Sequence, residues 1–257
     1  MHAFAGAVLT AKSGHTHIFS LGQAGYIVKS ASGQLLAVDP YLSECVERLE
    51  GHEGFKRLLP KILTPFELEL DVLITTHPHW DHFDVDSVPE LMSNTATKLF
   101  ASVDCSKDIA RLGMKEDRVQ YVRPGDSVTA GDFELHFVNC DHGTGAPDAV
   151  GVVIGVDGKL IYMAGDTCLR LDRTEEYLQF GPIDVLIAPI NGAYGNLNEA
   201  ECARLSDALQ AKLTIPSHYG MFASHGGNPG LFYQIMKEQY PQRSFLLMAM
   251  GEKWTLQ

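Results

Sequence analysis

The apolar residues of this chain fall into short blocks, and most blocks stop at a turn residue. AGYIVKS (24–30) and QLLAVDP (34–40) read as strands separated by a Ser32-Gly33 turn. DVLITT (71–76) has the continuous apolar character of a strand buried on both faces. FELHFVN (133–139) alternates, with Phe133, Leu135 and Phe137 on one face. AVGVVIGV (149–156) and KLIYMAG (159–165) are joined at Asp157-Gly158, a two-residue hairpin signal. IDVLIAPI (183–190) and KLTIPS (212–217) complete the apolar runs. Helical patterns lie between them. One starts near Asp84 to Asp86 and runs through LMS (91–93). NEAECARLSDAL (198–209) offers Asn198 as a cap with Glu201 closing a capping box, and Asn228-Pro229 begins a last helix. Strands and helices mix without strict alternation, which predicts two packed sheets with helices outside, a four-layer αββα sandwich in the α/β (α+β) class. No linker or repeat divides the chain, so residues 1–257 are expected to form one domain.

Composition removes several functions. The formal net charge of −12 opposes a phosphodiester backbone, so no nucleic acid is expected as partner. No run approaches the roughly 20 apolar residues of a membrane helix. The N-terminal MHAFAGAVLTAKSG lacks a basic segment and reads as mature protein. The five cysteines are scattered and never form CxxC, which points to free thiols in a reducing cytoplasm.

The chemistry concentrates where DVLITT ends. THPHWDH (76–82) places His77, His79, Asp81 and His82 in a spacing that fits one face of neither a helix nor a strand. Imidazole and carboxylate together suit Zn, Mn or Fe, and a tight loop can supply several ligands at once. Three more candidates follow apolar strands: His142 after FELHFVNCD, Asp166 after KLIYMAG, and His218 after KLTIPS. Asp39, at the end of AVDP, is either a carboxylate orienting a ligand histidine or a turn aspartate before Pro40. His225 is a candidate substrate contact or a plain loop histidine, and Asn191 a second candidate contact. His136 is expected to be solvated, while His2, His15, His17 and His52 have no motif around them. Lys56, Arg57 and Lys61, with Arg48 shortly before, form a basic segment in an acidic chain. That segment is either a solvated face or a phosphate contact through the Arg57 guanidinium.

The order HxHxDH, then H, D and H resembles the metallo-β-lactamase superfamily over nearly the full chain. The resemblance implies the αββα fold and a pair of divalent ions, Mn or Zn with Fe as an alternative. It assigns His77, His79 and His142 to one ion, Asp81, His82 and His218 to the other, and Asp166 to both. Two such ions acidify a water and polarise a carbonyl or phosphoryl oxygen, chemistry suited to hydrolysis, with Asp81 placed to handle the proton. The stretches DPYLSECVERLEGHEGFKRLLP, HPHWDHFD, CDHGTGAPDAVG, GDT and PINGAYGNLN are further similar to the L-ascorbate-6-phosphate lactonase branch. That branch implies a cytoplasmic, oligomeric hydrolase of a phosphorylated sugar lactone in carbohydrate catabolism. The alternatives are a phosphodiesterase or other small-ester hydrolase of the same fold, and a non-hydrolytic di-metal redox protein.

Overall fold

The computed structural model describes residues 1–256. Strands β1 (His17–Gly22), β2 (Gly25–Lys29), β3 (Leu35–Val38), β4 (Val72–Thr75), β5 (Lys98–Ser102) and β6 (Val119–Val122) form one sheet. The second contains β7 (Ser127–Ala130), β8 (Phe133–Asn139), β9 (Val150–Val156), β10 (Lys159–Met163), β11 (Val185–Pro189) and β12 (Leu213–Ser217). The last strand, β13 (Lys253–Thr255), returns to the first sheet beside β1. Each sheet is antiparallel at one side and parallel at the other. β3 to β6 run parallel in the first, and β10 to β12 in the second.

Three apolar layers hold these sheets. The middle one lies between them, with Val28, Leu36, Ile74 and Phe100 facing Phe137, Val152, Ile154 and Ile187. The outer face of the first sheet buries Ile27, Ala37, Leu73 and Leu99 beneath helices that contribute Phe4, Val8, Val88 and Ile109. The outer face of the second places Val153, Tyr162, Leu186 and Ala188 under Leu205, Phe232 and Met236. Period-2 alternation explains how β9 serves two layers: Val152 and Ile154 point inward while Val153 points outward. The architecture is the four-layer αββα sandwich expected from the sequence.

Local chemistry explains the boundaries. Asn198 accepts the Glu201 amide while the Glu201 carboxylate accepts the Asn198 amide, so the capping box starts the Glu199–Leu209 helix. Asn228 caps the Pro229–Gln239 helix with proline at its first turn. Asp157 and Gly158 both have positive φ, as a type I′ hairpin turn between β9 and β10 requires. The helix expected near Asp84 begins slightly later, at Ser87, because Asp84 turns its carboxylate onto the chain. The Ala3–Thr10 helix has no sequence counterpart in the expectations above. Its C-terminal carbonyls are met by the buried Lys29 ammonium, which donates to Val8, Leu9 and Ala11. Among the described residues no helix is long and apolar enough to cross a membrane, and all five cysteines are unpaired.

Candidate metal centre and cleft

The parallel strands decide where the chemistry sits, because open α/β sheets present loops at their carboxyl ends. Asp39 follows β3, the His77–His82 loop follows β4, Asp166 follows β10 and His218 follows β12. His142 comes from beyond the end of β8. Two sheets thus aim their strand ends at one point.

Seven side chains converge there. The donor atoms of His77, His79 and His142 lie within 4.8 Å of one another, and so do those of Asp81, His82 and His218. His79 Nδ1 is 3.0 Å from both His77 Nε2 and His142 Nε2. In the other group His218 Nε2 is 3.2 Å from His82 Nε2 and 3.3 Å from Asp81 Oδ2. Asp166 stands between them: its carboxylate is 3.3 Å from His82, 3.2 Å from His218 and 3.8 Å from His142.

These separations fit divalent ions. Four donors placed tetrahedrally around zinc lie about 3.4 Å apart, close to what this cluster shows. Imidazole nitrogens facing each other at 3.0 Å repel unless a proton or a cation stands between them. Asp166 Oδ1 is buried without a hydrogen-bond donor, and so is His142 Nδ1 on the far side of its ring. The donor set of imidazole and carboxylate is that of Zn, Mn or Fe.

Electrostatics divide the cluster. Burial pushes His77 and His79 below the usual imidazole range and takes His142 down to about 4, so these three offer neutral lone pairs. Burial also opposes charge on His82 and His218, but Asp166, with Asp81 and, for His82, Asp39, outweighs it. His82 is held well above the usual range and His218 rises to about 9. Burial would raise Asp81 and Asp166, yet the facing histidines hold both well below the carboxylate range. A cation entering the second group therefore competes with protons on His82 and His218.

A surrounding shell fixes the rings. Asp39 accepts from His82 Nδ1 at 2.7 Å and from the Thr76 amide and hydroxyl at 2.8 and 2.6 Å. That bond leaves His82 Nε2 turned toward the cluster, the geometry an orienting carboxylate has. Two members escaped sequence reasoning. Gln23 donates to Asp81 Oδ2 at 2.8 Å, and Asn196 donates to Asp166 Oδ2 at 2.7 Å. Neither carries a motif. Their only signal is position, Gln23 at a tight turn after an apolar run and Asn196 inside PINGAYGNLN. Backbone strain collects here as well. Among the described residues six that are not glycine have positive φ, and Gln23, Asp39, Tyr194 and His218 of these surround the site. Gly165, at φ +66°, precedes Asp166, and a Cβ there would meet the Val150 carbonyl at 3.1 Å and Cys140 Sγ at 3.2 Å. Gly227, at φ +83°, lets the His225 loop close on Tyr219, whose Cβ would be 2.6 Å from an added Cβ.

Above the cluster opens a cleft of about 420 Å³, reached by His79, Asp81, His142 and Asp166 and walled by Phe55, Trp80 and Tyr194. His225 lines it too, stacked on His218 with ring centroids 5.2 Å apart and Nε2 3.6 Å from Asp81. Two expected substrate contacts are elsewhere. Arg57 is buried, its guanidinium donating to the carbonyls of Leu59, Tyr41 and Ser43 and lying over the Tyr41 ring. It ties loops together and does not line the cleft. Asn191 is also buried outside the cleft, bridging to Asn198. Of the other basic residues, Arg48 pairs with Asp86 and Lys61 with Glu44 at the surface, and Lys56 is exposed. His136 is not simply solvated: it stacks on Phe180 with centroids 4.0 Å apart. His17 is a buried structural residue bonded to Thr255 and the Lys12 carbonyl.

Comparison with known proteins agrees with this geometry. The family model described as Beta-lactamase superfamily domain matches residues 36–219, a span that runs from β3 through His218. The chain belongs to the beta-lactamase superfamily. A Myxococcus xanthus (strain DK1622) relative, a UPF0173 metal-dependent hydrolase, is 30% identical over 87% of this chain and 77% of its own length. An Anaeromyxobacter dehalogenans relative of the same designation is 27% identical over 85% of this chain and 80% of its own. Among solved structures, Igni18, a metallo hydrolase from Ignicoccus hospitalis, superposes with a TM-score of 0.73 at 21% identity, covering 94% of this chain and 98% of that one. The superfamily member is thus placed among the metal-dependent hydrolases of the metallo-β-lactamase fold, and its His/Asp cluster is able to bind metal.

Proposed function

We propose that the protein opens a small ester or lactone at a pair of divalent ions. The observation that carries this reading is the position of Asp166 between two three-residue donor groups, directly beneath the cleft. His77, His79 and His142 would hold one ion and Asp81, His82 and His218 the other, with Asp166 shared. Ions bound there supply an acidified water and a Lewis acid for the carbonyl oxygen. The chain's own groups do the rest. Asp39, Gln23 and Asn196 keep the ligands in register, because each spends a hydrogen bond on one of them. Asp81, oriented by the Gln23 bond to its Oδ2, lines the cleft beside His225 and is placed to take the proton of the attacking water and pass it to the leaving oxygen. Phe55, Trp80 and Tyr194 exclude bulk water from the reacting carbonyl, which strengthens every polar contact beneath them. Arg57, the residue expected to meet the phosphate of the lactone that the resemblance implies, is already committed to backbone carbonyls.

The test is a panel of lactones, aryl esters and phosphodiesters on protein reconstituted with Mn or Zn. Lactone or ester hydrolysis is expected, lost on chelation and restored by metal. Preferential phosphodiester cleavage, or oxygen consumption without hydrolysis, would replace this reading with one of its alternatives.

A further inference from the structure

We infer that the part of the substrate remote from the scissile bond is apolar and carries no negative charge. This rests on the hydrolase reading above and names the substrate class for it. The cleft walls bring together Val46, Phe55, Pro78, Trp80 and Tyr194, enough apolar surface to bury a ring or a short alkyl chain. Beyond the cluster itself the charged residues lining the cleft are Glu50 and Asp108, and no lysine or arginine lines it.

Several of the nearby cations are engaged elsewhere, and the exposed Lys56 beside Phe55 does not line the cleft. Arg57 is turned into backbone carbonyls, Arg48 pairs with Asp86 and Lys61 with Glu44. Arg111 pairs with Asp108 and so neutralises one of the two cleft acids. Glu50, exposed at the end of the Cys45–Glu50 helix, has no ion-pair partner among the described residues. An anionic tail would thus meet no lysine or arginine on the cleft wall, lose its hydration against aromatic walls, and face an unneutralised carboxylate. Bound ions would attract an anion only at the reacting end. They cannot serve a second charge held away from them.

The experiment compares matched aryl esters, one neutral and one carrying a phosphate remote from the ester, on metal-loaded protein. The neutral ester should have the higher kcat/KM by roughly 10-fold or more, the factor one missing charge-assisted hydrogen bond implies. Glu50→Lys, which touches no member of the cluster, should narrow that ratio several-fold by improving the phosphorylated ester, and the change should weaken in high salt. A binding readout avoids turnover: in metal-free protein, benzyl alcohol should quench tryptophan emission at lower concentration than benzyl phosphate, a signal lost in Trp80→Phe. Preference for the phosphorylated ester, an unmoved ratio in Glu50→Lys, or the reverse order of quenching would overturn the inference alone. Hydrolysis of neither ester by metal-loaded protein would overturn the hydrolase reading and this inference with it.

Discussion

Asp166→Ala is expected to empty both halves of the metal cluster and to remove hydrolysis to background. Its carboxylate lies within 4 Å of His82, His218 and His142, histidines drawn from both groups. Asp39→Ala should be milder. It releases His82 Nδ1 and the Thr76 amide but leaves every donor atom in place, and losses from such orienting partners are roughly 10- to 100-fold. The comparison reads as kcat/KM together with metal content for each variant, with circular dichroism showing that both are folded. Metal retained at full stoichiometry in Asp166→Ala, or equal losses at the two positions, would mean that the roles are exchanged.

The second large effect concerns stability. Asp84 is fully buried and its carboxylate accepts from the amides of Leu42, Ser43, Asp86 and Ser87 and from the Ser43 hydroxyl. It therefore clamps the segment after β3 to the loop that carries His77 to His82. Asp84→Ala leaves five donors without their acceptor, those of Leu42 and Ser87 in buried contacts, and a loss of about 3 to 5 kcal/mol is expected, since each unmet buried group costs roughly 1 to 3 kcal/mol and the sites are not independent. For a chain of this size that corresponds to a fall in Tm on the order of 10 °C, read by calorimetry on metal-free protein. Ser43→Ala, which removes one of the five donors, should cost about 1 kcal/mol. A Tm unchanged in Asp84→Ala would show that water replaces the carboxylate without penalty.

The seven cluster residues were legible in the sequence because a metal-binding arrangement imposes residue type and spacing together. HPHWDH cannot be arranged on one face of a regular element, and His142, Asp166 and His218 each follow an apolar strand. The central strands were legible for the same kind of reason, burial on both faces leaving β4, β9 and β11 almost wholly apolar. The buried strands β1 and β5 were not read from the sequence either, and the other strands that escaped lie where that constraint relaxes. β6 and β7 are sheet-edge strands with partly exposed, polar faces, and β13 is a three-residue strand whose pairing with β1 spans the whole chain. The supporting residues escaped because a glutamine or asparagine has no spacing rule. Gln23 and Asn196 reach Asp81 and Asp166 only once two sheets are stacked. Arg57 shows the converse error. A basic cluster in an acidic chain suggests an anion, but the fold needed the guanidinium to satisfy three carbonyls of its own backbone.

The central claim is a paired divalent-metal centre, and metal stoichiometry measured together with activity tests it most directly. Elemental analysis of active protein should give two divalent ions per chain, and stepwise chelation should remove hydrolysis in parallel with them. One ion or none in fully active protein, with hydrolysis surviving exhaustive chelation, would contradict it.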